Sequence, residues 1–371
     1  MIGGVSGMTA KSNLLLTPYE SFKLSSRRYT GAKTKLLTQI KEVINTHLPS
    51  PKENLSFFDV FAGTGVVSEA LMNEPCFRHF YINDFLHSNF AIYQAFFAKE
   101  SFDWQKLQDL AQSYQNLKPQ HIKANYYSRH FAGKFFSFND SLVIGHIREH
   151  LDKLLSVKVL NEKEFYILLA SLIYSSDRIA NTVGHYDAYR KNVSLKDSFS
   201  FKLIQPIITH KNIEIFRADS NVLAKKLALD FKKQAKKLDL VFIDPPYNSR
   251  QYSRFYHLLE TLSLNNKPIL SGVALKPKPS NLSAYCKAQA FEAFKDLITT
   301  LSSFSRLLVI TYNNTNSANA RSNTRMGLEQ IKSLLQSKGK TTLYEFPFKA
   351  FSSGKTDFKE HKELIFVCEV F

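Results

Sequence analysis

Five short apolar runs constrain this chain most: Leu55–Phe61, Phe80–Ile82, Ile213–Phe216, Leu240–Ile243 and Leu307–Thr311. Each ends in small, polar or acidic residues, and helical-looking stretches lie between them. Short apolar runs bounded this way belong to strands buried on both faces. The pattern therefore predicts a doubly wound α/β fold around a mostly parallel sheet. Two more strand-like runs, Thr342–Phe348 and Leu364–Phe371, are joined by a polar link and predict a terminal antiparallel hairpin, which makes seven strands. Residues 95–205 break the alternation and predict a mainly helical insertion. That leaves 23–94 and 206–371 as the sheet domain and 1–22 as a loose N-terminal segment. Asn265–Ser283 holds three prolines and little periodicity, which predicts a long loop.

Composition limits the partners. Lys and Arg number 49 against 32 Asp and Glu, a net charge of +17, which favours a polyanion over a generally basic surface. The 31 Phe and 17 Tyr suit base stacking as well as core packing. Cys76, Cys286 and Cys368 form no close pair, so neither a disulfide framework nor a zinc site is expected, and a reducing compartment fits. The sequence has neither a run of 18 apolar residues nor a signal-peptide start. A cytoplasmic location without membrane association is expected.

Two motifs carry chemistry. In Asp59-Val60-Phe61-Ala62-Gly63-Thr64-Gly65 a strand runs into a glycine turn that opens a helix. Glycines there permit a tight turn and close approach of a ligand to the backbone. Asp84, about twenty residues on at a strand end, suits ribose hydroxyls. The alternative is an ordinary strand-to-helix turn with a capping acid. The second motif, Asp244-Pro245-Pro246-Tyr247, follows the apolar run Leu240–Ile243. Prolines stiffen the chain and donate no backbone hydrogen bond. Asp244 and the Pro245 carbonyl can then present two adjacent acceptors to the two donors of an adenine amino group, with Tyr247 placed to stack on the base.

These residues, with Arg28-Tyr29-Thr30-Gly31-Ala32-Lys33, resemble the adenine-specific DNA methyltransferases of restriction–modification systems and of the Dam type. Asn248-Ser249-Arg250-Gln251-Tyr252, Tyr256-His257-Leu258-Leu259-Glu260-Thr261 and Arg178-Ile179-Ala180-Asn181-Thr182 look like one subgroup of them. The resemblance implies the S-adenosylmethionine-dependent methyltransferase fold, with 95–205 as a target-recognition domain. It makes Asp244, Pro245, Pro246 and Tyr247 catalytic, acting on a flipped-out adenine in double-stranded DNA. It places Tyr29, Lys33, Asp59, Phe61, Gly63, Gly65, Asp84, Asp219 and Asp244 at S-adenosylmethionine, with Asp219 open to a second reading as a helix cap. Arg27, Arg28 and Lys35 are expected to face phosphate or solvent. No metal is expected. DNA contacts are expected from Asn181, His185, Tyr186, Arg190 and Lys191 in the insertion, from Arg250, and from Lys355 in the hairpin link; a solvated loop with structural aromatics is the alternative for the insertion cluster. The lysine-rich run 225–237 is read as a solvated face. A monomer, with a cognate restriction endonuclease as partner, completes the expectation. An RNA adenine methyltransferase and a non-catalytic DNA-recognition subunit are the rival readings.

Overall fold

The computed structural model describes residues 21–48, 50–314, 324–347 and 362–371. Seven strands form one sheet: β1 Leu55–Asp59, β2 Phe77–Asp84, β3 Asn212–Arg217, β4 Leu238–Ile243, β5 Ser305–Asn313, β6 Gly339–Pro347 and β7 Lys362–Val370. Their order is β3-β2-β1-β4-β5-β7-β6. The first five run parallel to one another, and β7 lies antiparallel between β5 and β6. The doubly wound sheet and terminal hairpin expected from the apolar runs are both present.

Alternation along the strands explains the two-sided core. Phe57, Leu240, Phe242 and Val309 belong to one buried cluster, and their neighbours Phe58, Val241, Ile243 and Leu308 belong to the other. Successive side chains in a strand point to opposite faces, so a strand apolar throughout needs cover on both. The helices Leu37–His47, Val66–Met72 and His87–Phe97 cover the first face; Ser220–Lys233, Ala290–Ser302 and Leu328–Gln336 cover the second.

The chain between β2 and β3 is mainly helical up to Ile179, with its long members at Phe138–Ser156 and Glu162–Ile179, and continues without a helix to β3. It shares the first hydrophobic cluster with the sheet. The division expected at 94 and 95 falls inside His87–Phe97, whose final carbonyls, Gln94 O and Ala95 O, accept from the buried Lys163 ammonium at 2.9 and 2.8 Å. At the start of the described chain Phe22 is buried and bridges Ile204. Within the long loop Asn265–Ser283, Leu270–Ser271 and Lys276–Pro277 pair as a small antiparallel ribbon, local structure that the prolines had obscured. No helix among the described residues is long and apolar enough to cross a membrane.

Candidate active site

Strand order reverses between β1 and β4, and in open parallel sheets ligands bind where this happens, beyond the carboxyl ends of the strands. The two ends lie side by side, with Asp59 paired to Phe242 and Val60 N–H donating to Phe242 O at 3.0 Å. The cleft above them holds about 1000 Å³, its mouth included. Tyr29, Lys33, Asp59, Phe61, Gly63, Asp84, Asp219 and all of Asp244 to Tyr247 line it.

Gly65 does not line the cleft. Its φ is +79°, and a Cβ there would lie 3.2 Å from both Leu24 and Tyr93, so it serves the turn and the packing beneath it. Gly63 has φ +56°, and its Cβ would press on the Tyr29 ring at 3.3 Å. That close approach lets Tyr29 form a wall. Asp84 ties the turn to β2, its Oδ2 accepting from Gly63 N–H at 2.9 Å and its Oδ1 from Leu86 N–H at 2.8 Å.

Asp59 is 1% exposed. Ser68 Oγ donates to its Oδ2 at 2.7 Å, while its Oδ1 is buried without a hydrogen-bond partner. Burial pushes this carboxyl up to about 7; the Ser68 bond opposes the rise, and Asp244 and Asp84 add to it. A buried acceptor left bare at a cleft wall suits a cationic or N–H-bearing ligand. Further along, the Phe61 ring meets Tyr285 edge-on at 5.0 Å, and Tyr285 Oη donates to Asn221 Oδ1 at 2.7 Å. Asp219 both lines the cleft and caps the helix after it, accepting from Asn221 and Val222 N–H, so its two readings are compatible.

At the end of β4 the Asp244 carboxylate is held from three sides. Lys33 Nζ lies 2.7 Å from Oδ2, and Tyr247 Oη and Thr311 Oγ1 each donate to Oδ1 at 2.7 Å. Lys33, expected at the cofactor, lines the cleft and pairs with Asp244, its ammonium 5.0 Å from the Tyr247 ring centroid. Glu363 of β7 is buried with its Oε2 3.5 Å from Tyr247 Oη. Burial raises that carboxyl to about 7, with Lys33 opposing and Asp244 reinforcing the shift. Sequence reasoning missed Thr311 and Glu363. They come from strands far along the chain, and no local motif marks them.

Tyr29 stacks on Tyr256 with centroids 4.8 Å apart, and Thr30 N–H donates to Tyr256 Oη at 2.7 Å. Arg27, expected to face phosphate or solvent, is instead buried, donating to Asn89 Oδ1 at 2.6 Å with its guanidinium 4.8 Å from the Tyr29 ring. The ring gives a desolvated guanidinium a favourable face. Arg28 reaches Asp177 and Ala180 O, and Lys35 is exposed as expected.

The insertion cluster divides. Tyr186 is 1% exposed and its hydroxyl donates to Asp177 Oδ1 at 2.7 Å, so the hydroxyl expected to read bases is spent inside the core. The Asn181 amide is spent on Lys134 O and Arg190 O. Arg190 and Lys191 are exposed. His185 stacks on Phe255 at 4.5 Å, and the exposed Arg250 guanidinium lies 5.4 Å from the same ring. Lys355 lies outside the described residues.

Comparison with known proteins bears on the whole arrangement. The chain is 32% identical to the modification methylase StsI of Streptococcus sanguinis over 77% of its length, which is 44% of that protein. It is 29% identical to the type II methyltransferase M.FokI of Planomicrobium okeanokoites over 91% of its length and 52% of that relative. The chain thus spans about half the length of these two. The type II methyltransferase M.NlaIII of Neisseria lactamica is 25% identical over 90% of this chain and 95% of its own length. Residues 29–293, from the tyrosine at the cleft wall to beyond the Asp244–Tyr247 loop, match the family described as D12 class N6 adenine-specific DNA methyltransferases, and the chain belongs to that family.

Proposed function

We propose that this chain is a site-specific DNA methyltransferase, acting with S-adenosylmethionine on the exocyclic amino group of a flipped-out adenine in double-stranded DNA, as the modification partner of a restriction endonuclease. The observation that carries the reading is the Asp244 carboxylate, held by Lys33, Tyr247 and Thr311 at the floor of a switch-point cleft.

S-adenosylmethionine, when bound, supplies a methyl group on a positively charged sulfur, already activated for transfer. The residues present fit it. Asp59 offers its bare buried oxygen to a positive group, Asp84 suits ribose hydroxyls, and Phe61 and Tyr285 form an apolar slot beside Asp219. Tyr29 forms the wall packed against the glycine turn.

The adenine amino nitrogen is a poor nucleophile because its lone pair is delocalised into the ring. A carboxylate offers about four lone-pair directions, and three donors occupy three of them here, leaving one on Oδ2. That acceptor and the Pro245 carbonyl take the two amino hydrogens and favour a tetrahedral nitrogen with its lone pair aimed across the cleft. Asp244 is then the nearest base for the proton the nitrogen sheds. Proline at 245 and 246 keeps these acceptors in place, so the protein's task is positioning. Extruding the base costs on the order of a few kcal/mol, and stacking on Tyr247 returns roughly 1–3 kcal/mol of it.

Nucleoside mass spectrometry after incubation with S-adenosylmethionine and DNA or RNA tests the reading. N6-methyladenine in DNA is expected. Methyl groups found only in RNA, or cofactor binding without methylation, would overturn it.

A further inference from the structure

The loop Asn265–Ser283 walls more than the catalytic cleft. At its far end Asn281 and Ser283 line that cleft. Along its middle, Lys276 and Lys278 face Arg254 across a second groove, which shares Ser253 and Asn281 with the cleft. At its near end Lys267 lines a third hollow with His121, Lys123, Arg129, His130 and His146. The loop is fixed in place there, Tyr126 Oη donating to Pro268 O at 2.6 Å, and Lys276 pairs with Asp187. Three hollows thus follow one another along a single anchored wall.

Exposed charge along it is mostly positive: the one acid lining the second groove, Glu260, is buried with its oxygens taken by His87 N–H and Ser88 N–H. Glu149 is the one acid among the described residues lining the third hollow, and Lys267 already neutralises it at 2.7 Å. Lys123 and Arg129 are exposed and have no acidic partner among the described residues. Arg254 and Lys278 likewise lack one. The sidedness suits a regularly charged polyanion leaving the cleft, which needs phosphate contacts and no sequence-reading groups.

We propose that one arm of the DNA duplex leaves the catalytic cleft along the 265–283 wall, its phosphates met first by Arg254 and Lys278 and then by Lys123 and Arg129. This rests on the methyltransferase reading above. Phosphate contacts release counterions on binding, so each contributes a salt dependence of about 0.9 in log–log slope.

The test uses the full chain and two duplexes, each carrying the methylated site near one end and extended by some twenty base pairs on opposite sides. The double variant Lys123→Gln/Arg129→Gln alters two exposed side chains, so its melting temperature and S-adenosylmethionine affinity should match wild type. Affinity for one duplex should fall about tenfold or more at low salt, with the salt slope reduced by about 2. Affinity for the other duplex should hold. Equal losses on both duplexes, or none on either, would overturn the path. A wild-type protein that methylates no DNA at all would instead sink the underlying reading of function.

Discussion

The switch-point cleft was read from glycine and proline motifs at strand ends and the cluster at 181–191 from polar and aromatic residues close in sequence, and the two fold into opposite situations. In the cleft, Asp59, Asp84 and Asp244 arrive at the ends of adjacent strands and converge, because parallel strands deliver their carboxyl ends to one edge of a sheet. In the insertion, Tyr186 turns inward and the half-buried Asn181 spends its amide on backbone carbonyls, while Arg190 and Lys191 are exposed and His185 is half-buried. A strand end has one exit, so its polar residues have little choice of place. A polar cluster on a helical insertion must supply its own core and its own backbone partners before any side chain is left over for a ligand.

The largest effect expected is in the cleft. Asp244→Ala should lower methyl transfer by on the order of 1,000-fold, since it removes the group that polarises the nucleophile, while DNA affinity stays within a few-fold. Label transfer and fluorescence anisotropy read the two separately, and near-wild-type turnover would break the assignment.

Asp59 should give the next effect. Its folded pKa of about 7 lies above its ordinary 3.8, so between these values the folded chain binds a proton that the unfolded chain has released. This contribution to stability is fully present below pH 4 and is lost as pH rises through 7. Asp59→Asn should flatten that fall and raise the apo melting temperature at pH 8. The same change should weaken S-adenosylmethionine binding roughly tenfold, because a charged hydrogen-bond acceptor is gone. In the wild type, cofactor affinity should decline below pH 7, since binding favours the carboxylate. Calorimetry across pH 5.5–8.5 checks this, and a flat profile would show that Asp59 does not face the cofactor.

Thr311→Val removes one of the donors on Asp244 Oδ1 and leaves two others on the carboxylate. About a tenfold loss in single-turnover rate is expected, without change in cofactor affinity, in line with roughly 1.5 kcal/mol for a hydrogen bond to a charged group.

The smallest effect is the one that most sharpens the comparison. Tyr186→Phe should cost about 1 kcal/mol of stability through the lost bond to Asp177 and leave the methylated sequence unaltered. Arg190→Ala should do the reverse, weakening DNA binding with no change in melting temperature. If Tyr186→Phe altered the recognised sequence at constant stability, the division between inward and outward residues would fail.

Much of this was legible before the structure. The apolar runs are so short and so fully apolar that only a sheet covered on both faces accommodates them, and glycine and proline at strand ends mark the turns where ligands bind. Arg27 was misjudged because its partners, Asn89, Tyr29 and Tyr256, lie up to 229 residues away, and an arginine looks the same in sequence whether stacked inside or solvated. Lys33 lies in the cleft where it was expected, but its ion pair with Asp244 was not foreseen, since Asp244 reaches it only after β4 takes its position beside β1.

By itself, then, the sequence determined the alternation of strands and helices, the terminal hairpin, and the two motifs at the ends of β1 and β4, because each depends on residues within a few positions of one another. Tertiary structure alone decided which carboxylates share the cleft, that Thr311 and Glu363 complete the surroundings of Asp244, and that Tyr186 is core rather than surface. Those outcomes depend on which strands become neighbours and what each side chain is desolvated against, quantities that arise only when distant segments are packed together.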